Sequence, residues 1–134
     1  MPVVYDTFWL RKGYDALTFF GTIITSTADE ASKMADENNV LRRHETIHLR
    51  QAQACHDSWI LFYILYIWYY LKALPQNRYM KNAAYYLNPF EIEAYQHMDD
   101  TSYLERLGKA GATEWKQHAR MTPAERRRIF YPQA

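Results

Sequence analysis

The chain has 134 residues, 49% hydrophobic and 23% charged, a size for one domain over 1–134 and a near-average globular composition that favours neither disorder nor a fibrous repeat. Sixteen basic and fifteen acidic side chains leave a formal charge of +1, without the concentrated basic excess of a nucleic-acid binder. The single cysteine, Cys55, excludes an internal disulfide, and the absence of a basic segment followed by an apolar run at the start predicts a cytoplasmic location.

In chain order, Val3–Leu10 and Leu17–Thr25 are rich in β-branched and aromatic residues and predict strands, with the turn-like Arg11-Lys12-Gly13 between them. Gly21 marks a weak point in the second run, as a bulge or a close backbone approach. Thr27 and Glu30 have capping-box spacing, which predicts a polar helix ending near Asn38-Asn39.

Residues 40–73 contain neither Gly nor Pro and predict helix throughout, bent between Cys55 and Ser58. The second half, Trp59–Leu71, has no charge over 13 residues. Such a helix rises roughly 20 Å, short of the ~30 Å hydrocarbon core of a bilayer. It suits a buried helix or peripheral membrane contact through 59–71. Its residues sort into an aliphatic stripe (Ile60, Ile64, Ile67, Leu71) and an aromatic one (Trp59, Phe62, Tyr63, Tyr66, Tyr70) whose hydroxyls need partners if buried. Pro75 ends the helix. A third helix is expected from Asn88-Pro89 to Gly108, and a last one from Thr122-Pro123-Ala124-Glu125. The order predicts an α+β fold: a small N-terminal antiparallel strand pair or sheet followed by a helical bundle.

The sharpest signal is His44-Glu45-Thr46-Ile47-His48. On a helix, i and i+4 stand one above the other, so both imidazoles can face one Zn²⁺ while Glu45 stands beside it as a general base. With five His and eight Glu in the chain, chance supplies about 0.01 such matches. A catalytic zinc needs a third protein ligand. Gln51 and Ala54 stand where an HExxHxxGxxH extension would place Gly and His, and His56 lies about 12 Å along the helix from His48. The third ligand is therefore sought downstream, in Asn88-Pro89-Phe90-Glu91-Ile92-Glu93-Ala94-Tyr95.

The pair HETIHLRQ and NPFEIEAY resembles the HExxH…E arrangement of gluzincin-type metallopeptidases. It is more closely similar to a group of small bacterial zincin-like proteins with a strand pair, an HE-x-I-H-x-x-Q helix running into an aromatic segment, and an FE-x-EAY helix. The resemblance covers about Leu17 to Leu107. It implies a zincin-like fold and a third ligand in an ExxA context, which falls on Glu91 with Ala94. Small Ala94 would let the two helices approach, whereas Glu93 shares its face with Gln96 and His97. Glu91 is preferred over Glu93, and Asp99 or Asp100 remains an alternative. Strand 17–25 would by resemblance edge the cleft and pair with extended substrate.

The expected function is a zinc-dependent metallopeptidase or hydrolase acting on a peptide or protein, with His44, His48 and Glu91 on the metal and Glu45 as base. The alternatives are a catalytically silent metal-binding domain and a membrane-surface protein. Gln51 is a candidate to hydrogen-bond a ligand, and Tyr95, Tyr103 and His97 are candidate oxyanion donors. Cys55 is expected as a packed thiol. Arg126-Arg127-Arg128 is expected as a solvated helical face, with an acidic-partner contact as the alternative.

Overall fold

The computed structural model describes residues 39–134 with their side chains and, before them, the backbone of 3–4, 16–19 and 22–25. The capped helix expected from Thr27 lies outside the described residues.

Helix α1, Val40–Ala54, starts where the Asn39 side chain accepts from Arg42 N at 3.0 Å. It ends at Cys55. His56 and Asp57 then take left-handed backbone conformations (φ 56° and 55°), and Ser58 caps α2, Trp59–Ala73, by accepting from Leu61 N at 3.1 Å. The bend expected between Cys55 and Ser58 is this left-handed pair. Pro75 sits in a 3₁₀ turn, Leu74–Arg78, that closes α2. A short α3, Ala83–Tyr86, follows.

Asn88 and Pro89 open α4, Pro89–His97, as expected. The helix does not reach Gly108. Asp100 Oδ1 accepts from both the amide and the hydroxyl of Ser102, at 3.0 and 2.9 Å, a local turn that competes with helix. The chain restarts as α5, Tyr103–Arg106. Helix α6 spans Trp115–Ala119. Helix α7, Pro123–Phe130, carries the capping box Thr122/Glu125.

The fold-class expectation is corrected. Residues 39–134 contain helices and turns and no strand, so the body that holds the core and the site is a helical bundle, not an α+β zincin-like domain with an antiparallel sheet. Ahead of it, the described backbone forms short ladders, β1 (Val3–Val4), β2 (Ala16–Phe19) and β3 (Thr22–Thr25), in the order β1-β3-β2. β1 runs parallel to β3, and β2 antiparallel to it. The single strand expected over 17–25 is thus two strands paired with each other. Within 39–134 the core is closed by aromatic side chains of α2 packed on Phe90 and Trp115, with no strand taking part.

That core is a chain of rings. Phe62 meets Phe90, and Phe90 meets Trp115, each with centroids 4.5 Å apart. Ala52 in the last turn of α1 and Cys55 at its end complete the cluster, so Cys55 is a packed thiol, and its burial pushes its pKa up. Trp59, Phe62, Tyr63 and Tyr66 of the expected aromatic stripe face the core, whereas Tyr70 is exposed together with Ile60, Ile64, Ile67 and Leu71. Arg126 departs from the solvated face expected of it. It is buried and donates through Nε to Leu87 O (2.8 Å) and through a terminal nitrogen to His118 O and Met121 O (3.1 and 2.6 Å). It fastens α7 to the ends of α3 and α6. Among the described residues no helix is long and apolar enough to cross a membrane.

Candidate metal centre

Two helices build the centre. α1 contributes His44 and His48, one turn apart, and α4 contributes Glu91 from its first turn. The Asn88 side chain sets the register of α4. Its oxygen accepts from Phe90 N (3.1 Å) and its nitrogen donates to Tyr66 O of α2 (3.0 Å). Ala94 packs with Ile47 in one buried cluster, so the small residue expected to admit a close approach lies between the helices.

Three ligand-type atoms converge. His44 Nε2 lies 2.9 Å and His48 Nε2 3.1 Å from Glu91 Oε1, and the two nitrogens are 3.2 Å apart. A tetrahedral zinc shell with bonds of about 2.1 Å has ligand–ligand edges of roughly 3.4 Å. The triangle is a little tighter than one face of such a shell, and opening each side by a few tenths of an ångström would match it. His44, His48 and Glu91 form a buried group that can hold a metal ion.

The nitrogen chemistry agrees. Gln51 Nε2 donates to Phe90 O and Glu93 Oε1, each at 2.9 Å, which orients its amide and turns Oε1 toward His48 Nδ1 at 2.8 Å. That contact needs the proton on Nδ1, so the neutral ring presents the Nε2 lone pair to the centre. His44 Nδ1 is buried with no hydrogen-bond partner among the described residues. Its ring packs edge-on against Tyr95 at 4.5 Å.

The charges couple strongly without an ion. Burial alone would depress His48, but the Glu91 carboxylate overrides it and pushes His48 up to about 9. Burial would raise Glu91, but the His48 charge and hydrogen bonds from both imidazoles hold its carboxyl well below the usual range. Tyr66 donates to Glu91 Oε2 at 2.5 Å. Burial first and then the Glu91 charge push the Tyr66 hydroxyl up. Glu45 is buried in the same turn of α1 as His44, and its charge acts on both His48 and Tyr66.

The two glutamates occupy different places. Glu91 enters the triangle, while Glu93 lies behind it, fully buried. Glu93 accepts from Gln51 Nε2, from Trp115 N (3.3 Å) and from the Tyr103 hydroxyl (2.5 Å). Tyr103 is thus committed to Glu93. His97 stacks on Tyr103 at 3.9 Å and bonds Glu114 at 2.8 Å. Neither is among the groups in direct contact with the triangle. Asp100 is engaged by Ser102 and Arg106, and His56 lies exposed in the turn after α1. Of the oxyanion candidates, Tyr95 reaches the centre through its ring, while its hydroxyl meets that of Tyr85 at 3.0 Å.

Tyr66 as the partner of Glu91 escaped the sequence reading, whereas Glu93, the unchosen glutamate, takes the supporting place behind the ligands instead of a solvated one. The signal for Tyr66 was available, since a tyrosine on the buried stripe of an apolar helix needs a hydroxyl partner. Comparison of the chain with protein-family models, curated proteins and solved structures returns no match.

Proposed function

We propose that the chain is a zinc-dependent hydrolase of the peptidase type, with a site like that of the HExxH…E gluzincins. His44, His48 and Glu91 hold the ion. The observation that carries this reading is the convergence of two imidazole nitrogens and one carboxylate oxygen within 3.2 Å of one another. When bound, zinc supplies Lewis acidity, lowering the pKa of a water and polarising a carbonyl.

The chain's own groups do the rest. Glu45 takes the proton of the attacking water and returns it to the leaving amine. Tyr66 holds Glu91 Oε2, which leaves Oε1 to face the two imidazoles. Gln51 keeps the His48 Nδ1 proton in place. The purified chain should bind about one zinc, and His44→Ala should lose it. Glu45→Gln should keep the metal and abolish hydrolysis of a peptide library. Retained turnover would refute the general-base role.

A second reading, a metal-holding domain without turnover, is favoured by burial, since none of His44, Glu45, His48 and Glu91 is more than 8% exposed. The two part on one measurement. A zinc-loaded wild type that is stabilised by the metal yet cleaves no peptide supports the silent domain.

A further inference from the structure

The outer face of α2 is the least satisfied surface among the described residues. Ile60, Ile64, Ile67, Trp68, Leu71 and Leu74 are all exposed, Ile60 by 66% and Ile67 by 56%. Together they present roughly 600 Å² of largely apolar surface, the upper end of the about 300–600 Å² of the largest patch on a typical monomer. It approaches the about 800 Å² that each partner gives to a stable interface. The spacing is specific. Residues 60, 64, 67, 71 and 74 are separated by 4, 3, 4 and 3 positions, the seam of a heptad repeat, which is narrower than the stripe a helix presents to a globular core. The inward side of the same helix is already occupied by Phe62, Tyr66 and Tyr69, so the seam is additional to the core.

Charge indicates the occupant and its direction. Between Trp59 and Leu71 there is no charged residue. Lys72 lies beside Leu71, off the 60/64/67/71/74 seam, with its ammonium over the Trp68 ring, so the seam positions themselves carry no charge that opposes an identical seam. Exposed Asp57 precedes the helix and exposed Arg78 follows it, almost equidistant from Ile67. Antiparallel pairing about Ile67 brings each Asp57 toward the other copy's Arg78, whereas parallel pairing stacks like on like. We infer that the chain self-associates as an antiparallel, two-fold pair through this face of α2.

The test is the molar mass of the full chain by light scattering from micromolar to several hundred micromolar concentration. Expected is a mass twice the 16.0 kDa of the chain. Ile67→Glu places two carboxylates at the axis and should weaken the pair by about a hundredfold or more, with unchanged circular dichroism and zinc content. Arg78→Glu should weaken it several-fold at low salt in the antiparallel arrangement and leave a parallel pair unaffected. A wild type that stays monomeric overturns the inference, as does a dimer indifferent to Ile67→Glu or to Arg78→Glu. A monomer that co-sediments with phosphatidylglycerol–phosphatidylcholine vesicles, and loses this with Ile67→Glu, assigns the face to lipid and also overturns it.

Discussion

Tyr66 and Glu93 do different work within a few ångströms of the same centre, and single substitutions separate them. Tyr66 donates to Glu91 Oε2, so its hydroxyl restrains the carboxylate's rotation without touching the imidazoles. Tyr66→Phe removes one charge-assisted hydrogen bond and leaves all three ligands. The expected result is a zinc affinity lower by about tenfold, read by competition with a chelator. Glu93 receives three hydrogen bonds and approaches no ligand directly. Glu93→Ala strands Gln51, the Tyr103 hydroxyl and Trp115 N in the core, a loss of about 3–5 kcal/mol in chemical denaturation. The milder Glu93→Gln should keep about one zinc per chain, while Glu91→Gln should reduce it sharply.

At the scale of elements, the joint between α1 and the loop before α6 is governed by one backbone conformation. Gly111 has φ +81°, and a side chain there would collide with the Arg50 carbonyl oxygen at the end of α1. Its neighbour Ala112 donates to that same oxygen at 3.0 Å, so the loop cannot step back without losing the bond. Gly111→Ala should destabilise the chain by about 2 kcal/mol or more, measured as a fall in the urea midpoint. Such a contact between residues 61 positions apart leaves no trace in sequence, beyond a glycine in a short loop. By contrast, the HExxH turn was legible because its geometry is local, and α4 was legible because Asn88-Pro89 announces a helix start wherever it folds. The facing of α2 was not legible. Aromatic and aliphatic stripes are both apolar, and only the arrival of Phe90 and Trp115 decides that most of the aromatic one turns inward. The overlong α4 arose from the same cause, since Asp100 and Ser102 stop the helix through side-chain bonds that periodicity does not register.

For the whole molecule, the buried charges make metal binding, proton binding and stability one linked equilibrium. Without an ion, His48 holds a proton up to about pH 9 because Glu91 faces it across 3.1 Å. The raised His48 value gives stability that is complete below the unfolded histidine value of about 6.5 and is lost as pH rises through about 9. The depressed Glu91 value gives stability that is present above the unfolded carboxyl value of about 4.3 and is lost as pH falls through the lower folded value. The metal-free chain should therefore be most stable between about pH 4.3 and 6.5 and weaken toward pH 9. In the proposed site, zinc would take the place of the His48 proton, so binding near neutrality should release about one proton per ion. Affinity should then climb about tenfold per pH unit until it levels near pH 9. Calorimetric titration in buffers of different protonation enthalpy measures the released proton directly, and a heat independent of buffer would show that zinc does not displace it. The loaded chain, freed of that titration, should keep its unfolding temperature where the metal-free chain loses it.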